Sequence, residues 1–258
     1  MSIEVMSPRS GTVAGELASG VMVEGDTVYD FVVHEMTGVE EDLLAGKGPI
    51  MPRLNQVILN CITSIGGTVE KKDLGPIVRA LTSVDRMILL IAIRRASLGD
   101  MYDLKYSCPS CKGSNDASVN LASLEINKSQ VAENTHSITL QSGRRIDWHT
   151  MTGIDEEWLQ SQQKRQQRLG QSDLLTLAML TRIDAIDGES LDRNKDLKDS
   201  VTRLKSLRLS ERNEIREMFK GTEGSIDTEL EFECQHCGHE FSSELDVGQV
   251  SFFFPSGI

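Results

Sequence analysis

Apolar and polar residues alternate over residues 102–108 and again over 226–234, and each run ends at the first cysteine of a C-x-x-C turn. Because a strand has a period of two, Cys108 and Cys234 point to the same side as the buried residues of their strands. Two strands that end in C-x-x-C turns are the two halves of a zinc ribbon, a tetrahedral site of four thiolates. The predicted metal ligands are Cys108, Cys111, Cys234 and Cys237.

The two halves lie far apart in the chain. Cys234 comes 123 positions after Cys111 (234 − 111), whereas a compact ribbon has a spacing of roughly 15–20 residues. If the halves share one metal, about half of the chain is inserted between them. We therefore expect an α+β fold: a mainly helical body with a split zinc-ribbon-like pair of β-hairpins and a mainly helical insertion. The predicted domains are an arm (1–35), a core with the ribbon (36–123 and 225–258) and the insertion (124–224).

The strongest helical pattern covers residues 83–96, which are apolar almost all round, so this helix should lie in the middle of its domain. Thr82 and Asp85 form a capping-box start for it. Further helices are predicted at 36–45, 52–65, 155–169, 174–180, 199–207 and 210–219. Strands are predicted at 27–33 and 117–121, a hairpin at 136–148, and a strand or turn at 183–188.

Charge and cysteine usage narrow the class of protein. The 27 Lys and Arg against 39 Asp and Glu give a formal charge of −12, which argues against nucleic acid as a partner and favours basic or neutral protein partners.

Residues 1–10 lack the apolar core of a secretory signal. The longest apolar run, 87–93, is too short to span a membrane. Thiols in C-x-x-C pairs then indicate metal binding in a reducing compartment, and the fifth cysteine, Cys61, is interpreted as a core residue.

Zinc is the expected ion because such thiolate sites are usually structural and redox-silent, and iron is the alternative. A structural zinc contributes on the order of 10 kcal/mol of apparent binding energy to folding. His236 and His239 flank the second turn and are alternative ligands, although four thiolates already fill the shell. The chain has no phosphate-loop or dinucleotide motif and no nucleophile–base–acid spacing around its histidines, so we expect no catalytic residues.

The chain ends in an aromatic run that needs burial: Phe252, Phe253 and Phe254. These side chains pack either in the core under the central helix or against a neighbour in an assembly, since an exposed apolar patch is a contact site. The two alternatives are nearly balanced, with packing in the core slightly favoured, and the three residues are also the predicted partner-binding residues.

The order of short motifs resembles the baseplate hub subunit and hub-assembly chaperone family of contractile-tailed bacteriophages. The motifs are 37–44 (TGVEEDLL), 81–86 (LTSVDR), 93–102 (IRRASLGDMY), the first C-x-x-C, 186–188 (IDG), 224–227 (GSID), the second C-x-x-C and 252–255 (FFFP). The resemblance runs from about residue 36 to the end. It implies a non-enzymatic virion or assembly protein, part of a hetero-oligomeric assembly with tail tube, hub and tape-measure proteins. It would be found in the host cytoplasm during assembly and then in the tail baseplate.

Two other functions compete with this interpretation. The ribbon is also typical of nucleic-acid-binding or transcription accessory proteins, but the charge of −12 and the lone Lys112 beside the cysteine turns oppose that function. A redox or metalloenzyme role would need an open coordination position or a cofactor motif.

Overall fold

The computed structural model describes residues 11–68, 70–129, 135–170, 173–222 and 224–254, and over this part the predicted α+β class is confirmed. The helices are α1 (Gly38–Ala45), α2 (Ile50–Cys61), α3 (Lys71–Ala80), α4 (Ser83–Leu98), α5 (Gly153–Leu169), α6 (Leu174–Leu180), α7 (Leu197–Lys205) and α8 (Leu209–Thr222). The strands are β1 (Thr12–Val23), β2 (Asp26–His34), β3 (Ile62–Ile65), β4 (Met101–Ser107), β5 (Ser114–Asn120), β6 (Ile126–Asn127), β7 (Thr135–Thr139), β8 (Arg145–His149), β9 (Ile183–Ile186), β10 (Glu189–Ser190), β11 (Ser225–Ile226), β12 (Glu229–Glu233) and β13 (Glu240–Glu244).

Helix α4 is the centre of the first of two hydrophobic cores, as its all-round apolar pattern predicts. Leu89 and Ile93 are completely buried, and the Thr82 hydroxyl accepts a hydrogen bond from the Asp85 backbone N–H at 3.2 Å. This first core takes its other buried side chains from α1–α3, from the antiparallel sheet β1-β2-β3 and from residues 245–253.

The described part of the predicted arm is a regular hairpin that packs on α4. Its outer strand, β1, has a register shift between Glu16 and Val21, where Gly20 takes a φ of 75°. The Phe31 ring lies directly over Gly15: a Cβ there would come within 2.7 Å of the ring. The glycines that make this segment look irregular in sequence therefore serve a bulge and a close ring contact.

Two details between α2 and α4 differ from the sequence prediction. The helix predicted over 52–65 ends at Cys61, and Ile62–Ile65 is a strand paired with β2. These four residues are β-branched or small, and burial of Ile62 and Ile65 against the sheet outweighs continuation of the helix. Helix α3 was not indicated by the sequence because it contains Gly75 and Pro76, which normally interrupt helices.

The insertion contains a sheet as well as helices. Its strands form an antiparallel sheet in the order β10-β9-β8-β7, which confirms the hairpin predicted at 136–148. Helices α5–α8 accompany this sheet, and Trp148, Ile146 and Ile215 lie in the second core. The chain leaves and re-enters the first core side by side, because β6 pairs antiparallel with β11. The division into domains stays a prediction, and this two-stranded neck lies close to the predicted ends of the insertion, 124–224.

The start of α5 is fixed to the N-terminal end of α4. The Gly153 N–H donates to the Leu81 carbonyl at 3.2 Å, and Thr82 and Thr152 form an antiparallel bridge. The buried Arg86 forms an ion pair with Glu156. The second core is thus anchored to the first at the neck and at this junction.

Candidate metal centre

The first cysteine turn follows β4 and is closed by its own backbone. The Cys108 N–H donates to the Gly113 carbonyl at 3.0 Å, and the Lys112 N–H donates to the Cys108 carbonyl at 3.0 Å. Lys112 takes a left-handed φ of 61°. The Gly113 N–H then points at the Cys111 Sγ at 3.4 Å. The chain folds this way because the left-handed residue reverses its direction and turns N–H groups toward sulfur.

The second cysteine turn repeats the same geometry after β12. The Cys234 N–H donates to the His239 carbonyl at 3.0 Å, and the Gly238 N–H to the Cys234 carbonyl at 2.8 Å. Gly238, four residues after Cys234 as Lys112 is after Cys108, has a φ of 68°. The His236 N–H points at the Cys234 Sγ at 3.4 Å. The two halves of the site are therefore equivalent turns at the ends of two hairpins.

The four predicted ligands come together. Their Sγ atoms all lie within 4.8 Å of one another, with 3.8 Å between Cys108 and Cys237 and 3.6 Å between Cys111 and Cys234. A tetrahedral zinc with Zn–S bonds of about 2.3 Å places its sulfurs about 3.8 Å apart, so the donor set fits such an ion. Disulfides are excluded at these distances, and all four cysteines are free.

Neither flanking histidine belongs to this group among the described residues. The His236 Nε2 is 2.9 Å from the Ser114 carbonyl oxygen, so it donates its proton there rather than facing the sulfurs. A second contact crosses between the turns: the Gln235 N–H donates to the Asn115 Oδ1 at 2.9 Å. Asn115 is buried and also donates to the Gly113 carbonyl. Protein hydrogen bonds therefore align the two turns directly, beside any metal.

The pKa values of the two cysteines in the second turn are shifted in opposite directions. Burial raises the pKa of Cys234, but hydrogen bonds from the backbone N–H groups of His236 and Cys237 outweigh it and lower the pKa to about 6. A backbone hydrogen bond at His239 lowers the pKa of Cys237, but burial and the neighbouring thiols raise it to about 12. Four thiolates this close repel one another, and a bound dication would remove that repulsion.

A cluster of aromatic rings packs between the two hairpins next to the cysteine turns. The rings of Tyr106 and Phe232 lie 4.3 Å apart between centroids, and Phe241 lies 5.4 Å from Tyr106. The Tyr106 hydroxyl donates to the Glu233 carbonyl at 3.3 Å, which joins β4 to β12. Aromatic residues of the two alternating runs thus pack against each other.

The structure places the aromatic run mostly inside the chain. Phe252 and Phe253 are buried in the first core, and Phe254 is half-buried. The Arg94 Nε donates to the Phe252 carbonyl at 2.9 Å, and its guanidinium lies 4.7 Å from the Tyr102 ring centroid. Packing in the core therefore accounts for Phe252 and Phe253, and part of the Phe254 ring stays exposed where a partner could contact it.

Two polar sites away from the metal centre were missed in the sequence. The sequence pattern indicates only a capping role for Asp85, yet its carboxylate accepts hydrogen bonds from the backbone N–H groups of Ala18 and Ser19 in β1. His149 lies between Asp184, at 2.8 Å, and Asp155, at 3.3 Å. Burial lowers the pKa of His149, but these two carboxylates outweigh it and raise the pKa to about 9.

Fold and site define an α+β protein whose most distinctive feature is a four-cysteine group able to hold a metal. The chain belongs to the T4 bacteriophage base plate protein family, whose profile matches residues 34–254. This match covers both cysteine turns, the second core and the part of the first core that follows residue 33. It confirms the resemblance to phage baseplate proteins. No curated protein and no solved structure gave a significant match. Within the described chain, no helix is long and apolar enough to cross a membrane.

Proposed function

We propose that the protein works in the hub of a phage tail baseplate, either as a built-in component or as a factor needed to assemble the hub. The observation that carries this proposal is the family match over residues 34–254, which supports a structural baseplate role. Its partners would be tail tube, hub and tape-measure proteins. It would bind them in the host cytoplasm during assembly and then remain with them in the virion tail. The protein would act through its surfaces, without catalysis.

The cysteine site would hold a structural zinc, with iron as the alternative. Four thiolates fill a tetrahedral shell and leave no position for a substrate. Purified protein should contain one equivalent of metal per chain. Less than about half an equivalent, with all four thiols free to react, would contradict the metal assignment but leave the baseplate role standing.

Quantitative mass spectrometry of purified tails tests the baseplate role. A small, fixed copy number relative to the tube protein is the expected result for a built-in hub component. Absence from mature tails, together with loss of tail formation when the gene is deleted, would identify an assembly factor. Normal tails in a deletion strain would refute both forms of the proposal.

The competing nucleic-acid function is tested separately by DNA and RNA binding across a salt series. The second hairpin of the ribbon carries exposed carboxylates at Glu229, Glu231 and Glu233, which would repel phosphates. Tight binding that weakens steeply with salt would favour the nucleic-acid function over the hub.

A further inference from the structure

Helix α5 carries a cluster of cations that the chain itself does not neutralise. The α5 basic strip consists of Lys164, Arg165 and Arg168, which are all exposed. Lys164 and Arg168 are four residues apart, and Arg165 and Arg168 three, so the strip occupies one side of the helix. No ion pair or hydrogen bond involves these three side chains in the described part of the chain. Such a strip is unusual in a protein with a formal charge of −12.

The strip borders an open groove of about 600 Å³ between α5 and the start of α2. Pro49, Pro52 and the half-exposed Leu169 give this groove an apolar floor. Cations beside exposed apolar surface are suited to a partner surface that combines carboxylates with apolar contacts.

This chain itself offers an acidic surface on the second hairpin of the ribbon. The ribbon acidic face consists of Glu229, Glu231, Glu233, Glu240 and Glu244, all exposed. Two pairs of these carboxylates lie directly opposite each other across the strands, Glu229 with Glu244 and Glu233 with Glu240. Like charges in such positions destabilise a hairpin. No cation forms an ion pair with them among the described residues.

The two charged surfaces belong to different parts of the fold. The groove adjoins the start of α2, while the end of α2 and the end of α4 meet: Asn60 and Ser97 both bond to residues 36–40. The ribbon begins beyond the end of α4. Helix α4, about 24 Å long, runs from the junction with α5 to the ribbon. In the described part of the chain no ion pair joins the two surfaces.

We propose that the α5 basic strip and its groove bind the ribbon acidic face of a second copy of this protein. Such a contact is head-to-tail: each copy binds one neighbour through its α5 basic strip and another neighbour through its ribbon acidic face. Repetition of a head-to-tail contact gives a closed ring or an open filament rather than a two-fold dimer. This proposal is independent of the hub assignment, because it concerns only the chain's association with itself.

Sedimentation of the full-length, metal-loaded protein tests the proposal. Wild-type protein should associate at low salt and dissociate between about 0.01 M and 0.5 M, because the screening length falls from roughly 30 Å to below roughly 5 Å. A strip variant (Lys164→Glu, Arg165→Glu, Arg168→Glu) and a ribbon variant (Glu229→Lys, Glu231→Lys, Glu244→Lys) should each remain monomeric. The ribbon variant spares Glu233 and Glu240, which lie next to the cysteine turn.

Mixing the two variants is the decisive measurement. The strip variant then has two acidic surfaces and the ribbon variant two basic ones, so the mixture should associate again with alternating copies. A control with three reversed cations elsewhere (Lys47→Glu, Lys195→Glu, Lys198→Glu) has the same net charge as the strip variant and should associate like wild type. A monomeric wild type at low salt, a control that also fails to associate, or a mixture of folded variants that stays monomeric would overturn the proposal.

Discussion

The buried carboxyl of Asp85 lowers the stability of the protein at neutral pH. Replacing Asp85 with asparagine should therefore raise the free energy of unfolding at that pH. Asp85 is completely buried at the start of α4. Its Oδ1 accepts hydrogen bonds from the Ala18 N–H at 2.7 Å and the Ser19 N–H at 3.0 Å, and its Oδ2 accepts from the Thr82 hydroxyl at 3.0 Å. Burial raises the pKa of this carboxyl from 3.8 to about 6, against the lowering effect of those hydrogen bonds.

The direction of the effect follows from proton linkage. Between pH 3.8 and about 6 the native protein holds a proton on Asp85 that the unfolded chain has released. The free energy of unfolding therefore falls as pH rises through this window, and the contribution is complete only below pH 4. A rise of about two pKa units corresponds to about 3 kcal/mol. Asparagine is neutral and keeps a carbonyl oxygen for the two backbone donors. The variant therefore lacks this decrease in the free energy of unfolding as pH rises.

Urea unfolding followed by far-ultraviolet circular dichroism at pH 4, 5, 6 and 7 measures the effect. The unfolding free energy of Asp85→Asn minus that of wild type should increase by about 3 kcal/mol across this range. Effects of acid on the metal site are common to both proteins and cancel in the difference. Asp85→Ala, which leaves two buried N–H groups without an acceptor, should cost about 2–6 kcal/mol. A difference that stays flat, or decreases as pH rises, would refute the reasoning: in the latter case hydrogen bonding, and not burial, would dominate the pKa.

Three further predictions address the metal, the histidine and the aromatic run. Cys108→Ser and Cys234→Ser should destabilise the protein by similar amounts in denaturant unfolding, and the double variant should add little, because both open one site; additive losses would mean two sites. The contribution of His149, up to about 3 kcal/mol, should be present below pH 6.5 and lost as pH rises through about 9. His149→Gln should therefore flatten the stability profile between pH 6.5 and 9, and an unchanged profile would exclude its ion pairs as the cause. Phe252→Ala should lower the unfolding free energy by about 3–5 kcal/mol because this ring is buried; a change below about 1 kcal/mol would show that the ring does not pack in the core.

The elements that could be predicted from the sequence are those whose periodicity is unmixed. Helix α4 is apolar all round, so its central position follows from its composition alone. The runs before Cys108 and Cys234 alternate, so the direction of these cysteines follows from the period of two. The structure gives α4 and the first run as predicted with slightly shifted ends, but it divides the second run: Ser225–Ile226 pairs with β6, and Glu229–Glu233 pairs with β13.

The elements that could not be predicted depend on partners far along the chain. The strand Ile62–Ile65 continues the apolar spacing of α2, and only its pairing with β2 shows that it is extended. The burial of Asp85 depends on a bulge 66 and 67 positions earlier. At the metal centre, the contact between Asn115 and Gln235 spans 120 positions. A single sequence carries no signal for such pairs, since nothing in either segment alone indicates which distant residue it contacts.

The metal centre and the two hydrophobic cores stabilise different parts of this chain. Both cores are built from buried apolar side chains, and the neck between β6 and β11 pairs without any ligand. The ribbon is different, because two-stranded hairpins are only marginally stable by themselves, and β12 faces β13 with opposed carboxylates. A metal joining Cys108 to Cys237 would therefore act mainly on the ribbon, where it offsets that repulsion. The hairpin that most needs the metal is also the one that carries the acidic face, so metal binding would hold in place the surface that we propose binds a second copy.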